Sequence, residues 1–251
     1  MWFDSGLAGA HATGDPAGAL VVVDVLSFST AVTVATGRGS AVYPHPWPSD
    51  EIDAFSAARG AQRAVGRHEV SEQQPWSLSP AHLLAAPVTG RLVLPSPNGS
   101  AIAAVSPGQV VAGCLRNATA VARWLDQQGF GVAERPVTVI AAGERWPGGE
   151  LRPALEDLLG AAAIIAALPG RAGRSPEAAA AEAVWLVHRA RAAEFLAGCY
   201  SGQELAGHGH HADITLAAEH DVQDTVPVLT DGAFRAAVRG TARQAPAAQP
   251  G

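Results

Sequence analysis

The sequence predicts an α/β fold: three layers, α/β/α, with helices on both faces of a largely parallel or mixed central sheet. Three observations carry this. Short apolar runs recur along the chain, and most are followed by a stretch of helical periodicity. The run "ALVVVDVL" (19–26) is apolar at almost every position, as a strand covered on both faces must be. Hydrophobic residues make up 48% of the 251 residues and charged residues 16%, which supports a sizeable core. Strands alternating with helices place the helices on the two faces of the sheet. No repeat or long linker interrupts the pattern, so one domain over 1–251 is expected, with its core at about 19–234 and flexible termini.

The elements follow in order. After the 19–26 strand, "TAVTVATGRG" (30–39) reads as a helix with a glycine stop. "SAVYPHPW" (40–47) is a short strand interrupted by prolines, and "DEIDAFSAARGA" (50–61) opens with acids as a helix does. "RLVLPSPNGS" gives a strand at 91–94 and then a loop, followed by a short helix in "AIAAVS". "QVVAGCL" (109–115) is a strand, and "NATAVARWLDQQG" is a helix with Asn117 as its N-cap. "PVTVIAAGE" (136–144) is the clearest late strand, and "LRPALEDLLGAAAIIAALPG" (151–170) is a long apolar helix stopped at Pro169-Gly170. "SPEAAAAEAVWLVHRA" begins a helix capped by Ser175 with Pro176 in its first turn, running to about Leu196. "HADITLAAEHD" and "TVPVLTDGAF" end the fold, and the tail "RQAPAAQPG" is expected to fray.

Composition excludes several classes. The net charge is −6, the 17 basic residues form no block, and no aromatic residues interleave with them, so nucleic acid is not an expected partner. The N-terminus lacks a basic segment and a continuous apolar segment, so no signal peptide is expected. The longest apolar stretch, "LLGAAAIIAALPG", is too short to span a bilayer, so no membrane partner is expected. The two cysteines, Cys114 and Cys199, are far apart and form no CxxC pair; free thiols in a reducing cytoplasm are expected. The wealth of Ala, Gly and Arg, with no Lys, points to a GC-rich bacterial genome.

In open α/β sheets, ligands bind beyond the carboxyl ends of the strands. The residues there are Asp24, Ser27, Ser29 and Thr30, then Ser96, Asn98, Gly99 and Ser100, then Asn117, then Gly143 and Glu144, with Glu156 and Asp157 on the next helix. These are oxygen and amide groups, suited to a hard cation such as Mg²⁺ or to an oxyanion held on backbone amides. Glu156 and Asp157 stand in an otherwise apolar helix, where a carboxylate needs a partner. The P-loop, GxGxxG and GxSxG motifs are absent, and Leu26 stands where a haloacid-dehalogenase phosphatase has its second Asp. "HGHH" (His208, His210, His211) reads as a polar loop rather than a metal site. Trp47, Trp76, Trp124, Trp146 and Trp185 read as packing residues, with Trp76 and Trp146 also able to wall a pocket.

In this order the segments resemble the 2-phosphosulfolactate phosphatases. The resemblance lies in "VVVDVLSFSTAVTVATGRGS", "WSLSP" (76–80), "LPSPNGSAI" (94–102) and "VVAGCLRNATAVA" (110–122), then in "VIAAGE" with "ALEDLLGAAAII", and finally in "SGQEL" and "DITLAAEHDVQDTVPVL". It implies a Mg²⁺-dependent phosphatase that converts 2-phospho-3-sulfolactate to 3-sulfolactate, a step that in archaea belongs to coenzyme M synthesis. Its functional positions carry over as Asp24, Asn98, Gly99, Asn117, Glu156 and Asp157. Two departures stand out: Ser27 replaces an Arg, and "AVGRHEVSE" (64–72) replaces a Gly-Glu-Arg-Gly-Gly-like segment. A guanidinium is the natural clamp for a sulfonate or phosphate, and Arg67, Arg116 and Arg145 are the candidate replacements.

The expected mechanism has Asp24, with Glu156 or Asp157 or both, holding Mg²⁺. Asn98, Asn117 and the residues Ser27, Ser29, Thr30, Gly99 and Ser100 bind phosphoryl oxygens, and Glu144 protonates the leaving alkoxide. Water, Asp24 and Ser29 all remain candidates for the attacking group. The competing readings are a catalytically inactive relative that binds an anion or small molecule, and a purely structural domain. The oligomeric state is open, with a homodimer as one outcome.

Overall fold

A computed structural model describes residues 1–47, 49–170 and 173–237. The expected frayed tail, 243–251, lies outside the described residues. Nine strands form one sheet: β1 (Trp2–Ser5), β2 (Ala19–Val23), β3 (Ala41–Pro46), β4 (Gln62–Arg63), β5 (Arg91–Ser96), β6 (Gln109–Gly113), β7 (Val137–Ala141), β8 (Pro227–Thr230) and β9 (Ala233–Ala236). Their order is β1-β7-β2-β6-β8-β9-β3-β5-β4. The sheet is mixed. β1, β7, β2 and β6 are parallel neighbours, as are β3, β5 and β4. The β8–β9 hairpin joins the two parallel halves by antiparallel pairing to β6 on one side and β3 on the other. Its turn is Asp231-Gly232, both at positive φ (51° and 75°), as a two-residue type I′ turn demands.

The long crossovers are helical: α1 (Gly6–Thr13), α2 (Phe28–Gly37), α3 (Ile52–Arg59), α4 (Pro80–Ala85), α5 (Gly99–Val105), α6 (Ala118–Gln127), α7 (Leu155–Ala167), α8 (Pro176–His188), α9 (Ala192–Gly198), α10 (Tyr200–Gly207) and α11 (His211–Ala218). Strand β2 shows how the layers form. Val21 and Val23 pack into one core with Val121, Leu125, Leu159 and Ile164 of α6 and α7. Leu20 and Val22 face the opposite core with Phe28 and Val32 of α2 and Ile102 of α5. The alternation is invisible in the sequence because both faces are apolar.

Several expected boundaries move. The core starts before residue 19: β1 pairs with β7, and Ala10 of α1 is fully buried. The 151–170 helix begins at Leu155, because Leu151–Arg152 pair with Glu144–Arg145 in a small separate hairpin. The helix expected to reach Leu196 breaks at a 3₁₀ turn, Arg189–Arg191, between α8 and α9. Ser175 caps α8 as expected, accepting from the Ala178 amide. Asn117 precedes α6 but its side chain makes no cap bond to that helix. Cys114 and Cys199 are free and buried. Among the described residues no helix is long and apolar enough to cross a membrane.

Helix α7 lies close against β2 because residue 160 is glycine. A Cβ there would stand 2.6 Å from Val25 Cγ2 and 3.0 Å from Val23 Cγ1. Gly160→Val is therefore expected to destabilise the fold by about 1–3 kcal/mol through overpacking, read from a urea unfolding curve; an unchanged midpoint would contradict this packing.

Candidate active site

The apolar β2 strand delivers Asp24 to its carboxyl end, and the buried carboxylate is clasped by two amides. Oδ1 accepts from Phe28 N at 2.9 Å and Oδ2 from Gly99 N at 3.1 Å, so one acid ties the starts of α2 and α5 to β2. Glycine is required at 99: a Cβ would lie 2.3 Å from Phe28 Cδ1 and 2.9 Å from Asp24 Oδ2. The Ser29 hydroxyl accepts from Asp24 N at 2.9 Å and donates to Val22 O at 2.9 Å, while Thr30 Oγ1 donates to Val25 O at 2.8 Å. These hydroxyls fasten the turn. Ser29, Thr30 and Gly99 are thus engaged with the backbone and Asp24, not presented as an open anion cradle. Ser100 is buried, its Oγ without a partner among the described residues.

A second clasp lies behind the first. Asp157, in the first turn of α7, accepts from Val25 N at 2.7 Å and Gly143 N at 2.9 Å, joining the ends of β2 and β7. Glu156 beside it is 2% exposed. Four carboxylates, Asp24, Glu144, Glu156 and Asp157, thus repel one another in a dry setting. Burial pushes the Asp24 carboxyl up to about 6, with Glu156 adding to the shift against the two amides. Burial and then the Asp24 charge push Glu144 up to about 7. Burial, followed by Asp24 and Glu156, raises Asp157 well above the ordinary range. The Cys199 thiol, on the far side of Glu156, is pushed up to about 12 by burial and that neighbouring charge, which leaves it unreactive.

The cavity at these strand ends has a volume of about 350 Å³. Asp24, Ser27, Asn98 and Glu144 line it, joined by Arg67 and by Ser201 and Glu204 of α10. Asn98 Nδ2 donates to Glu144 Oε2 at 2.8 Å. Of the three candidate arginines, Arg67 is the one in this cavity, its Nη2 donating to Ser27 Oγ at 2.7 Å. Arg116 pairs with Glu219 and Gln223, and Arg145 lines an adjoining, more apolar cavity with Leu7, Ile102 and Leu151, which shares Asn98 and Glu144 with the first. Glu156 and Asp157 stand behind Asp24 rather than on the cavity wall. Asn117 is fully buried elsewhere. Its Oδ1 accepts from Cys114 N at 2.9 Å and its Nδ2 donates to Thr225 O at 3.0 Å, tying the end of β6 to the segment before β8.

Other expectations shift. Trp47 is half exposed and lines the cavity, whereas Trp76 binds Pro87 O from its indole nitrogen. His208 also lines the cavity from the turn between α10 and α11, and its ring is in a run of contacts with those of His68, His210 and His82. Ser201 and Glu204 were within the quoted "SGQEL", but no chemical pattern in the sequence singled them out.

The donor set suits a hard cation. Among the described residues no group of three His, Cys, Asp or Glu side chains forms a closed metal cage. Magnesium needs none: it binds through one or two carboxylates and keeps water or phosphate oxygens as its other ligands. The nearest arginines do not cancel the acid excess, since Arg67 already pairs with Asp213 and Arg152 with Glu204.

An acid-rich, amide-braced cavity thus lies at the carboxyl ends of parallel strands, and the relatives define the class as an α/β enzyme, a phosphoric monoester hydrolase. The sequence model of the 2-phosphosulpholactate phosphatase family matches residues 8–232, so the chain belongs to that family. It is 28% identical over 216 residues to the 2-phosphosulfolactate phosphatase of Methanothermobacter thermautotrophicus, covering 86% of this chain and 88% of that protein.

Two predictions follow from this geometry. Burial holds the proton on Glu144 in the folded state to about pH 7, against an ordinary value of 4.5, so the folded protein binds more protons in that window. Stability contributed by protonated Glu144 is full below pH 4.5 and is lost as pH rises through 7, by up to about 3 kcal/mol. Glu144→Gln should therefore be more stable than wild type at pH 8 in EDTA and show a flatter pH dependence in urea unfolding; parallel curves would refute the assignment. Asn117→Ala, which strands the buried Cys114 amide, should cost about 1–3 kcal/mol in the same assay.

Proposed function

We propose that this protein is a Mg²⁺-dependent phosphatase of a small acidic phosphoester, 2-phospho-3-sulfolactate, giving 3-sulfolactate and phosphate. The observation that carries the reading is that Asp24 and Glu144 both line one small cavity, in a chain of this family.

Asp24 is the carboxylate on the cavity wall that holds the cation, with the charges of Glu156 and Asp157 behind it. A cation held there by Asp24 would supply Lewis-acid chemistry, polarising a phosphoryl oxygen and lowering the pKa of a water. The clasp of Phe28 and Gly99 amides fixes Asp24 in place, so no reorganisation is needed as charge develops. Glu144, whose carboxyl burial raises, gives its proton to the leaving alkoxide oxygen. Asn98 donates to Oε2 of Glu144, which orients the carboxyl and leaves Oε1 to carry the proton. Ser27 and Arg67 supply hydrogen-bond donors to the anionic substrate. The attacking group is water or Asp24. Ser29 is disfavoured, because it is fully buried and its hydroxyl already binds Val22 O.

The test is phosphate release from 2-phosphosulfolactate with Mg²⁺ and with EDTA. Release should require Mg²⁺, and Asp24→Asn should lose at least about 10²-fold in turnover. Turnover of that variant near the wild-type rate would sink the assignment. Binding of sulfolactate without any release would instead identify an inactive member that binds anions.

A further inference from the structure

The hairpin that carries Glu144 stands outside the main sheet, and a buried arginine docks it on α10. In the hairpin register Glu144 faces Arg152, and Arg145 faces Leu151. Residues directly opposite in an antiparallel pair share a face, so opposite charges placed there ordinarily pair with each other. Here the two side chains diverge. Glu144 accepts from Asn98 at the cavity. Arg152 reaches across to α10, where its Nη2 donates to Glu204 Oε2 at 2.9 Å and to Ser201 Oγ at 3.4 Å.

Arg152 is 7% exposed, although the rings that flank it are open to solvent. Its guanidinium carbon lies 4.3 Å from the centroid of the Tyr200 ring, at the start of α10, and 5.7 Å from that of Trp146, in the hairpin. The two rings meet edge to face at 6.0 Å. Tyr200 is 60% exposed and Trp146 44%, so neither is a core residue; they roof the arginine, whose charge is drawn to their faces.

This docking sets one dimension of the cavity. The hairpin supplies Glu144 to its wall, and α10 supplies Ser201 and Glu204. A hairpin of two residue pairs does not hold its own shape in water, so its place depends on what it is fastened to. On its other face Leu151 rests on Gly6 of α1, where a Cβ would come within 3.0 Å of Leu151 Cδ1.

We propose that Arg152 is the positioning residue for Glu144: by docking the hairpin on Glu204 and Ser201 of α10, it holds the acid at the cavity wall where the leaving oxygen lies. This rests on the phosphatase reading above and deepens it, because it names what keeps the proton donor in reach of the bond that breaks.

Kinetics with Mg²⁺ on two esters reads the role. The alkoxide of 2-phosphosulfolactate needs a proton to leave and the phenolate of p-nitrophenyl phosphate does not, so a general acid helps the first far more. Arg152→Gln should lower kcat for 2-phosphosulfolactate at least about 10-fold, change KM by less than about 3-fold, and cost distinctly less on p-nitrophenyl phosphate. Arg152→Lys should recover part of the loss. Glu204→Gln, a change at the half-exposed partner, should show the same pattern more weakly. Adding Arg152→Gln to Glu144→Gln should cost nothing further, because the arginine acts through the acid. Equal losses on the two esters, or a further loss in the double variant, would overturn the proposal.

Hydrogen exchange reads the docking without turnover. Amides of 144–152 should exchange at least about 10-fold faster in Arg152→Gln, while those of β2 and α7 stay protected. Unchanged protection of the hairpin refutes the proposal. If Arg152→Gln loses protection throughout, it has unfolded, and Glu204→Gln decides by the same comparison. No release from either ester by the wild type would sink the phosphatase reading and the acid role with it, and the exchange result alone would then decide whether Arg152 docks the hairpin.

Discussion

Two aspartates hold the carboxyl edge of the sheet together by accepting from backbone amides. Asp24 takes Phe28 N and Gly99 N; Asp157 takes Val25 N and Gly143 N. These four bonds join β2 to β7 and fix where α2, α5 and α7 begin. An unpaired amide in so dry a place would cost about as much as a lost hydrogen bond, so the acids are structural before they are chemical. The same arrangement concentrates negative charge at the one edge of the sheet where a ligand can enter.

The resulting charge balance explains much of the rest. Four carboxylates share a buried region, and burial, with the charge of neighbouring acids second, raises Asp24, Glu144 and Asp157 above the usual carboxylate range. Two answers are open to such a cluster: hold protons or hold a cation. Glu144, raised to about 7 and steadied by Asn98, suits the first. Asp24, with a lone pair left on each oxygen after its amide bonds, suits the second. Arg67 and Arg152 are kept from collapsing onto these acids because each already has its own carboxylate, Asp213 and Glu204.

The β8–β9 hairpin has a similar organising part. Two sets of parallel strands, β1-β7-β2-β6 and β3-β5-β4, would otherwise meet edge to edge with unpaired backbone. The hairpin fills the gap with antiparallel pairing to both, and Phe234 of β9 packs edge-on against Phe28 at 6.1 Å. Phe28, whose amide donates to Asp24, is thus pinned by the last strand among the described residues.

By itself the sequence determined the strands that are apolar throughout, the Ser175-Pro176 helix start, the apolar α7 and the acids at the strand ends, because these follow from local hydrophobic pattern and capping chemistry. It also carried the family, through short segments kept in order. It did not determine which of those acids face the cavity, that Asn117 braces a loop beyond the cavity wall, or that β1 and α1 belong to the core. Nor could it choose among Arg67, Arg116 and Arg145. Those outcomes depend on contacts between residues as distant as Arg67 and Asp213, or Val25 and Asp157, and only the packing of helices on the sheet brings such pairs within hydrogen-bond reach.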